Sequence, residues 1–400
     1  MGACGTIQAG PGREKMGRMR DKAIETKGIL DGVEARRAWI EAALRSLVEV
    51  ESPSDSKAGV DAAARLVAEW AGELGARAKL HKQKRFGDVL ELRFGRAAAG
   101  RKPVLLLGHL DTVWPLGTLG RMPWREQAGR FYGPGVLDMK AGVVMALAAM
   151  GTLGELGVRR PVTLLLNPDE EVGSPVSRPI TERLALESEA VLVLEPAQGL
   201  ACKTARKGVG EYRLEVTGVA AHSGVDFANG HSAVLELARL LGKVAEFTDG
   251  RVGRTVNAGV IGGGTRSNVV AERAWAQVDV RIAKAGDAAK VEKLFRGLRC
   301  EDPSCRLQVT GGMNRPPMER RPGTVALYKK ARWLAAELGF VLDEAATGGG
   351  SDGNFTAALG VPTLDGLGAV GEGAHAAHEH VVAEHLAPRA ALLAGQIAGL

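Results

Sequence analysis

GHLDTVWPLGTLGRMPWREQAGRFYGPGVLDMK, residues 108–140, is the stretch on which the fold turns. Val104, Leu105, Leu106 and Leu107 lead into it as an unbroken apolar run, the length and type of a buried strand. A strand continued through Gly108, His109, Leu110 and Asp111 places His109 and Asp111 on the same side, two residues apart. A carboxylate behind an imidazole fixes the tautomer and orientation of a metal-binding histidine. A hydrogen-bonded pair at a strand end fits the same residues. Gly133, Pro134 and Gly135 then present Asp138 just ahead of a second apolar run.

Outward from this stretch, helical periodicity covers 34–50, stopped by Ser52-Pro53-Ser54, and 58–74, while 89–94 alternates as a strand. Residues 140–156, rich in Ala, Val, Met and Leu, predict a buried helix with Asp138 near its start. Apolar strands over 162–166 and 190–194 run into Asn167-Pro168-Asp169-Glu170-Glu171 and Glu195-Pro196. Apolar strands separated by helical segments predict an α/β fold, a doubly wound and mainly parallel sheet. His109, Glu170, Glu171 and Glu195 then all fall at carboxyl ends of strands, the edge where open α/β sheets bind ligands. Any one of them alone is an ordinary loop residue; their coincidence points to a site.

After residue 205 the texture changes. Strands over 211–217, 255–261 and 274–282, helices over 232–247 and 290–298, and a closing strand over 307–310 predict a smaller α+β, ferredoxin-like domain with an antiparallel sheet. The expected organisation is a flexible extension over 1–30, one domain made of 31–205 and 316–400, and an inserted domain over 206–315. A helix over 325–338, the glycine-rich run 348–353 and Gly373-Ala374-His375 complete the chain.

Four hundred residues with 45% hydrophobic and 24% charged residues suit a soluble globular protein of two domains. The net charge of +6 comes partly from the first forty residues, and aromatics are only 4%. No Lys/Arg block alternates with aromatics, which argues against nucleic acid as a partner. The balance suits small anionic substrates. Cys4, Cys202, Cys300 and Cys305 match neither a disulfide framework nor a zinc-finger pattern, so free thiols and a cytoplasmic location are expected. The first residues lack the apolar core of a secretion signal, Met1-Gly2 alone is a poor lipidation match, and no stretch reads as a membrane span.

His109, Asp138, Glu171, Glu195 and His375 together are a mixed nitrogen/oxygen set suited to Zn²⁺ and, less tightly, Co²⁺ or Mn²⁺. Two metals sharing one carboxylate need five side chains, and five are present. Glu170 cannot easily point the same way as Glu171, which leaves it free to act as a general base. The chain has no GxSxG elbow and no HExxH helix, removing two rival hydrolase chemistries.

GHLDTV (108–113), YGPGVLDMKAG (132–142), NPDEEVGS (167–174), LEP (194–196), AAHSG (220–224), SNVV and DVR (267–270, 279–281), TGGGSD (347–352) and GAHAAHE (373–379) resemble, in order and spacing, one family. It is the co-catalytic zinc carboxypeptidase and deacylase family of glutamate carboxypeptidase (carboxypeptidase G), acetylornithine deacetylase, succinyl-diaminopimelate desuccinylase and aminoacylase. The resemblance covers roughly residues 35–400. It implies a catalytic domain with two zinc ions per chain, interrupted by a smaller lid domain through which a homodimer forms.

Carried over, the resemblance gives one zinc to His109 and Glu195 and the other to Glu171 and His375, bridged by Asp138. Asp111 supports His109, and Glu170 is the base. His375 is preferred to His378, His380 and His385 because the family pattern sets the ligand after glycine, with an acidic residue, here Glu379, following; the other three are expected at the surface. His222 is expected to reach a neighbouring active site and stabilise the oxyanion. Asn268, Arg281 and Arg315 resemble residues that hold a substrate carboxylate, and Gly349 and Gly350 give backbone donors near the scissile bond. Arg206 and Lys207 are expected in a solvated hinge, and Ala141, where a second glycine often stands, alters loop packing.

The function implied is hydrolysis of an amide bond to release a C-terminal amino acid, glutamate or another acidic residue first, from an N-acyl or short peptide substrate. Glu195, rather than aspartate, at its position supports the glutamate carboxypeptidase branch. A biosynthetic deacylase or desuccinylase, such as acetylornithine deacetylase, is the second reading. A catalytically silent ligand-binding protein is the third, and the retention of every ligand and of Glu170 argues against it.

Overall fold

The computed structural model describes residues 26–95 and 101–400. Helices α1 (Thr26–Glu34), α2 (Arg37–Val48) and α3 (Lys57–Glu73) come first. α1 buries Ile29 and Val33, so folded chain begins ahead of residue 31; the remainder of the expected extension, 1–25, lies outside the described residues. There follow β1 (Arg77–His81), β2 (Val89–Phe94), β3 (Val104–His109), β4 (Arg125–Gln127), β5 (Arg130–Tyr132), α4 (Ala141–Glu155), β6 (Val162–Asn167), α5 (Arg178–Glu187), β7 (Ala190–Val193) and β8 (Cys202–Arg206). Then come β9 (Gly208–Thr217), α6 (Ala233–Ala245), β10 (Thr255–Gly263), β11 (Arg273–Ile282), α7 (Ala288–Arg296) and β12 (Arg306–Arg315). The chain ends with α8 (Pro322–Glu337), β13 (Glu344–Thr347), α9 (Gly353–Ala358), β14 (Thr363–Leu364), β15 (Gly371–Glu372), β16 (His380–Val382) and α10 (Leu386–Gly399).

The main sheet runs β1-β2-β6-β3-β7-β14. β6, β3, β7 and β14 are parallel, and β2 is antiparallel to both of its neighbours. β3 lies inside the sheet, and its whole length is buried. Its alternate residues feed two cores: Val104 and Leu106 pack on the side of α1–α4, α8 and α10, and Leu105 and Leu107 on the side of α5. A strand covered on both faces has no polar side, which is why it reads as a continuous apolar run.

α4 has no polar face either, and residues 141–153 are all buried. It packs on β3 and α10. By length and composition, 136–155 could cross a membrane, contrary to the expectation that no stretch approaches a span; 94% of that window is buried inside the fold, as in a central helix.

Between β8 and α8 the chain builds a four-stranded antiparallel sheet, β10-β11-β9-β12, from the order βαββαβ. Tyr212, Leu214, Val278 and Val280 pack with Leu237, Leu240 and Phe295 of its two helices. The edge strand β1, the β8–β13 pair and a small sheet, β15-β16-β5-β4, have no counterpart in the sequence reading. The strands of the small sheet, two or three residues each, are too short to show a period.

Candidate metal centre

β3 ends on His109, which is 1% exposed. Its Nδ1 lies 2.9 Å from the backbone carbonyl of Asp111. Donation of Nδ1–H to that oxygen leaves the Nε2 lone pair facing inward. Nε2 is 3.3 Å from Asp138 Oδ1 and 3.6 Å from Glu195 Oε1. The other Asp138 oxygen, Oδ2, is 3.4 Å from His375 Nε2, which is 3.3 Å from Glu171 Oε2.

Two donors bound at about 2.0–2.2 Å to one tetrahedral ion stand about 3.3–3.6 Å apart. The four separations match that spacing, and Asp138 faces both halves, one oxygen to each. Glu171 Oε1 is buried without a hydrogen-bond partner among the described residues, a donor aimed at nothing the protein supplies. Burial works against charge on His109, yet Asp111, Asp138 and Glu195 hold its pKa well above the usual imidazole range. Asp138 and Glu171 push His375 up to about 10. So dense a set of carboxylates calls for positive charge, and dications supply it in place of imidazole protons. The donor set therefore fits a dinuclear metal site.

Local structure aims these groups. The Asp111 carboxylate accepts from the backbone N–H of Glu170 and Glu171, 3.1 Å each, and from Ser54 Oγ at 2.7 Å. Its nearer oxygen is 3.4 Å from His109 Nδ1, so the expected support of His109 comes first from the Asp111 carbonyl. The carboxylate's stronger bonds fix the turn that carries Glu170 and Glu171. Glu379, fully buried, accepts from the N–H of Gly135, Leu137 and Asp138 and from the Trp114 indole at 2.7–3.1 Å. One carboxylate thus organises the loop that presents Asp138. Gly135 takes φ +71° there, which a Cβ would disfavour. β5 and β16 pair, bringing the Asp138 loop beside the His375 loop. His375 has φ +63°, unusual outside glycine and common where function constrains the backbone.

Glu170 stands at the edge of this cluster, one carboxylate oxygen lying within 4.8 Å of donor atoms of His109 and Glu195. Burial raises its pKa well above the ordinary range although Arg315 opposes the shift. Arg315 Nη2 donates to Glu170 Oε1 at 2.8 Å, and Nη1 to Asp352 Oδ1 at 2.8 Å. A cleft of about 620 Å³ opens beside the cluster, lined by Glu170, Glu171, Arg281, Arg315, Gly349, Gly350 and His375 among others. Of the expected substrate residues it therefore holds Arg281, Arg315, Gly349 and Gly350. Arg281 is also paired with Asp279 at 2.8 Å. His222 and Asn268 do not line it; both are exposed and sit together, with Ser223 N donating to the Asn268 carbonyl at 3.0 Å.

Two sequence readings are corrected. His380 is buried and packs against the Tyr132 ring, because it lies in β16 and not at the surface. Arg206 is 4% exposed and forms a two-pronged pair with buried Asp365, so it is no part of a solvated hinge. Glu379 was legible as the acidic residue that follows His375 in the family pattern, not as the acceptor that shapes the Asp138 loop, and Asp365 only as a lone carboxylate among apolar residues and glycines.

The model of peptidase family M20/M25/M40 matches residues 105–398. The chain belongs to this family. Carboxypeptidase G2 of Pseudomonas sp. (strain RS-16) is 29% identical over 363 residues, spanning 88% of this chain and 87% of that one. Aminopeptidase PepT from Bacillus cereus superposes with a TM-score of 0.75 at 21% identity, covering 90% of this chain and 98% of that one. A family M20 metallo-carboxypeptidase from Sulfolobus solfataricus gives 0.74 at 17% identity, covering 90% and 98%. The chain has the α/β catalytic sheet and smaller β-rich part of the M20 architecture. With a dinuclear site at the sheet edge, it is a metal-dependent hydrolase of amide bonds.

Proposed function

We propose that this M20 hydrolase is a carboxypeptidase releasing a C-terminal acidic amino acid, glutamate first, from N-acyl or short peptide substrates, with zinc as its metal. The observation that carries the reading is Arg281, a half-buried guanidinium on the cleft wall beside a base and a dinuclear ligand set; the Arg315 fork is already held by Glu170 and Asp352. A guanidinium fork suits a substrate carboxylate. The likeness to carboxypeptidase G2 over most of both chains supports the same branch.

In this reading His109 and Glu195 would hold one ion and Glu171 and His375 the other, with Asp138 facing both. Bound ions polarise the scissile carbonyl and acidify water. Glu170 takes the proton of the attacking water and returns it to the leaving amine nitrogen. Its raised pKa suits a group that must both accept and donate. Gly349 and Gly350 leave room for the backbone of the substrate. The described residues up to 205, α1 included, and 316–400 form the catalytic domain and 206–315 the lid. Two chains pair through the lid, and His222 and Asn268 serve the neighbouring cleft. Their position outside their own cleft, beside exposed Val225 and Phe227, supports that pairing.

A side-by-side assay of N-acyl-glutamates, N-acetylornithine and N-succinyl-diaminopimelate tests the substrate. N-acyl-glutamates should have the highest kcat/KM, with activity lost to a chelator and restored by Zn²⁺. Faster turnover of either of the other two would replace this reading by the deacylase one.

A further inference from the structure

Arg206 is the last residue of β8, where the chain leaves the main body for the inserted segment. Its backbone pairs with Met318 on the returning segment after β12, N to O at 2.9 Å and O from N at 3.0 Å. The adjacent Lys207 N donates to the Thr347 carbonyl at 3.0 Å. Asn354 ties the two crossings together, its amide donating to the carbonyls of Lys207 and Pro316 at 3.0 and 2.7 Å. The side chain of Arg206 therefore starts from a backbone fixed on both sides.

From there the guanidinium reaches three groups that matter to the site. Nε and Nη2 donate to the two oxygens of Asp365, 2.7 Å each. Nη1 donates to the carbonyls of Gly349 and Gly350 at 3.3 and 3.1 Å. Nη2 lies 3.7 Å from Glu195 Oε2, while Glu195 Oε1 faces His109. Asp365 is itself held by Ser351 Oγ at 2.6 Å, in the same turn as Gly349 and Gly350. Burying a guanidinium is expensive, and Asp365 alone would neutralise it. That the fork also spans a metal-facing carboxylate and the glycine turn of the cleft is more than neutrality requires.

We propose that Arg206 is a positioning residue. It sets Glu195 so that one oxygen faces the His109 side, and fixes the Gly349-Gly350 turn relative to that carboxylate. The His109/Glu195 ion and the substrate wall are thereby built by one side chain. The inference rests on the proposed ligand role of Glu195. Lysine keeps the charge but cannot span Asp365, Glu195 and two carbonyls at once.

The test is Co²⁺ titration of metal-free wild type and R206K, following the visible spectrum and competition with a chelator, with melting curves of both. Wild type should take up two ions. In R206K one ion should bind about 10–100-fold more weakly, and the other within about twofold of wild type. The spectral band of the weakened ion should change shape, and KM should rise as the glycine turn loosens. Two ions at unchanged affinity in R206K would overturn the proposal, as would both weakening together in step with the melting temperature, the mark of a purely structural role. Fewer than two ions in wild type would instead bring down the dinuclear reading on which the proposal stands. Should R206K not fold, S351A loosens Asp365 without removing a charge: a smaller weakening of one ion supports the proposal, and unchanged binding of both overturns it.

Discussion

At the residue scale, Glu170 is distinguished from its neighbour by direction and not by chemistry. Glu171 Oε2 turns to His375, whereas Glu170 Oε1 is held by Arg315. A base that is not a ligand can be removed without removing the ions. E170Q should lower kcat by about 10²–10⁴-fold, as loss of a general base does, while metal content stays that of wild type. Loss of an ion in E170Q would return Glu170 to the ligand set. The sign of the pH dependence follows from burial. A base acts deprotonated, and burial lifts the Glu170 pKa well above the ordinary carboxylate range. kcat/KM should therefore fall as pH drops through the Glu170 pKa, which burial lifts and bound cations pull back down. E170D or E170Q should move or abolish this acid limb in a pH–rate profile.

These same residues show what a sequence exposes and what it hides. His109, Glu171 and Glu195 stand out because polar side chains follow apolar strands, Asp138 because a glycine-proline loop presents it and His375 because the resemblance singles it out, and the structure brings the five to 3.3–3.6 Å contacts. The partners that aim them are less visible. Glu379 acts on a loop more than two hundred residues away, and Arg206 on an aspartate 159 residues away. Nothing local in the chain signals either contact.

At the element scale, long elements announced themselves and short ones did not. β3, β6 and α4 carry long apolar runs; β5, β15 and β16 have three residues or fewer, yet they join the Asp138 and His375 loops. A further link of this kind joins α3 to the turn before β2. Asp88, 4% exposed, accepts from Lys57 Nζ, Lys82 Nζ and Gln83 N at 2.7–2.9 Å. Burial works to raise its pKa, but the two lysines prevail and hold it down to about 2. A depressed carboxylate stabilises the fold at pH values above its unfolded pKa of 3.8, and that contribution is lost as pH falls through the folded value. D88N should cost about 1–3 kcal/mol at neutral pH, the range for a buried charged hydrogen-bond partner. Urea unfolding at pH 7 and again near pH 2 checks it: the gap between wild type and D88N should close in acid. A gap that stays constant with pH would show that shape, not charge, joins the two elements.

At the scale of the whole molecule, the segment from β9 to β12 was legible as alternating strands with two helices, but its relation to the cleft was not. Arg281 lines the cleft from the sheet face of β11, while His222 and Asn268 lie outside it on an exposed face. If those two residues serve a second chain, the active site is a composite, and catalysis depends on how chains are paired. A two-fold dimer makes this testable by mixing. H222A should be nearly inactive for want of the oxyanion donor, and E170Q for want of the base. In a dimer of one H222A and one E170Q chain, one cleft receives both defects and the other receives neither. Unfolding and refolding the two variants together in equal amounts should restore about a quarter of wild-type activity, since half the dimers are mixed and half their clefts complete. A mixture no more active than its components, with mixed dimers demonstrated by differential tagging, would place His222 in the cleft of its own chain, brought there by lid closure.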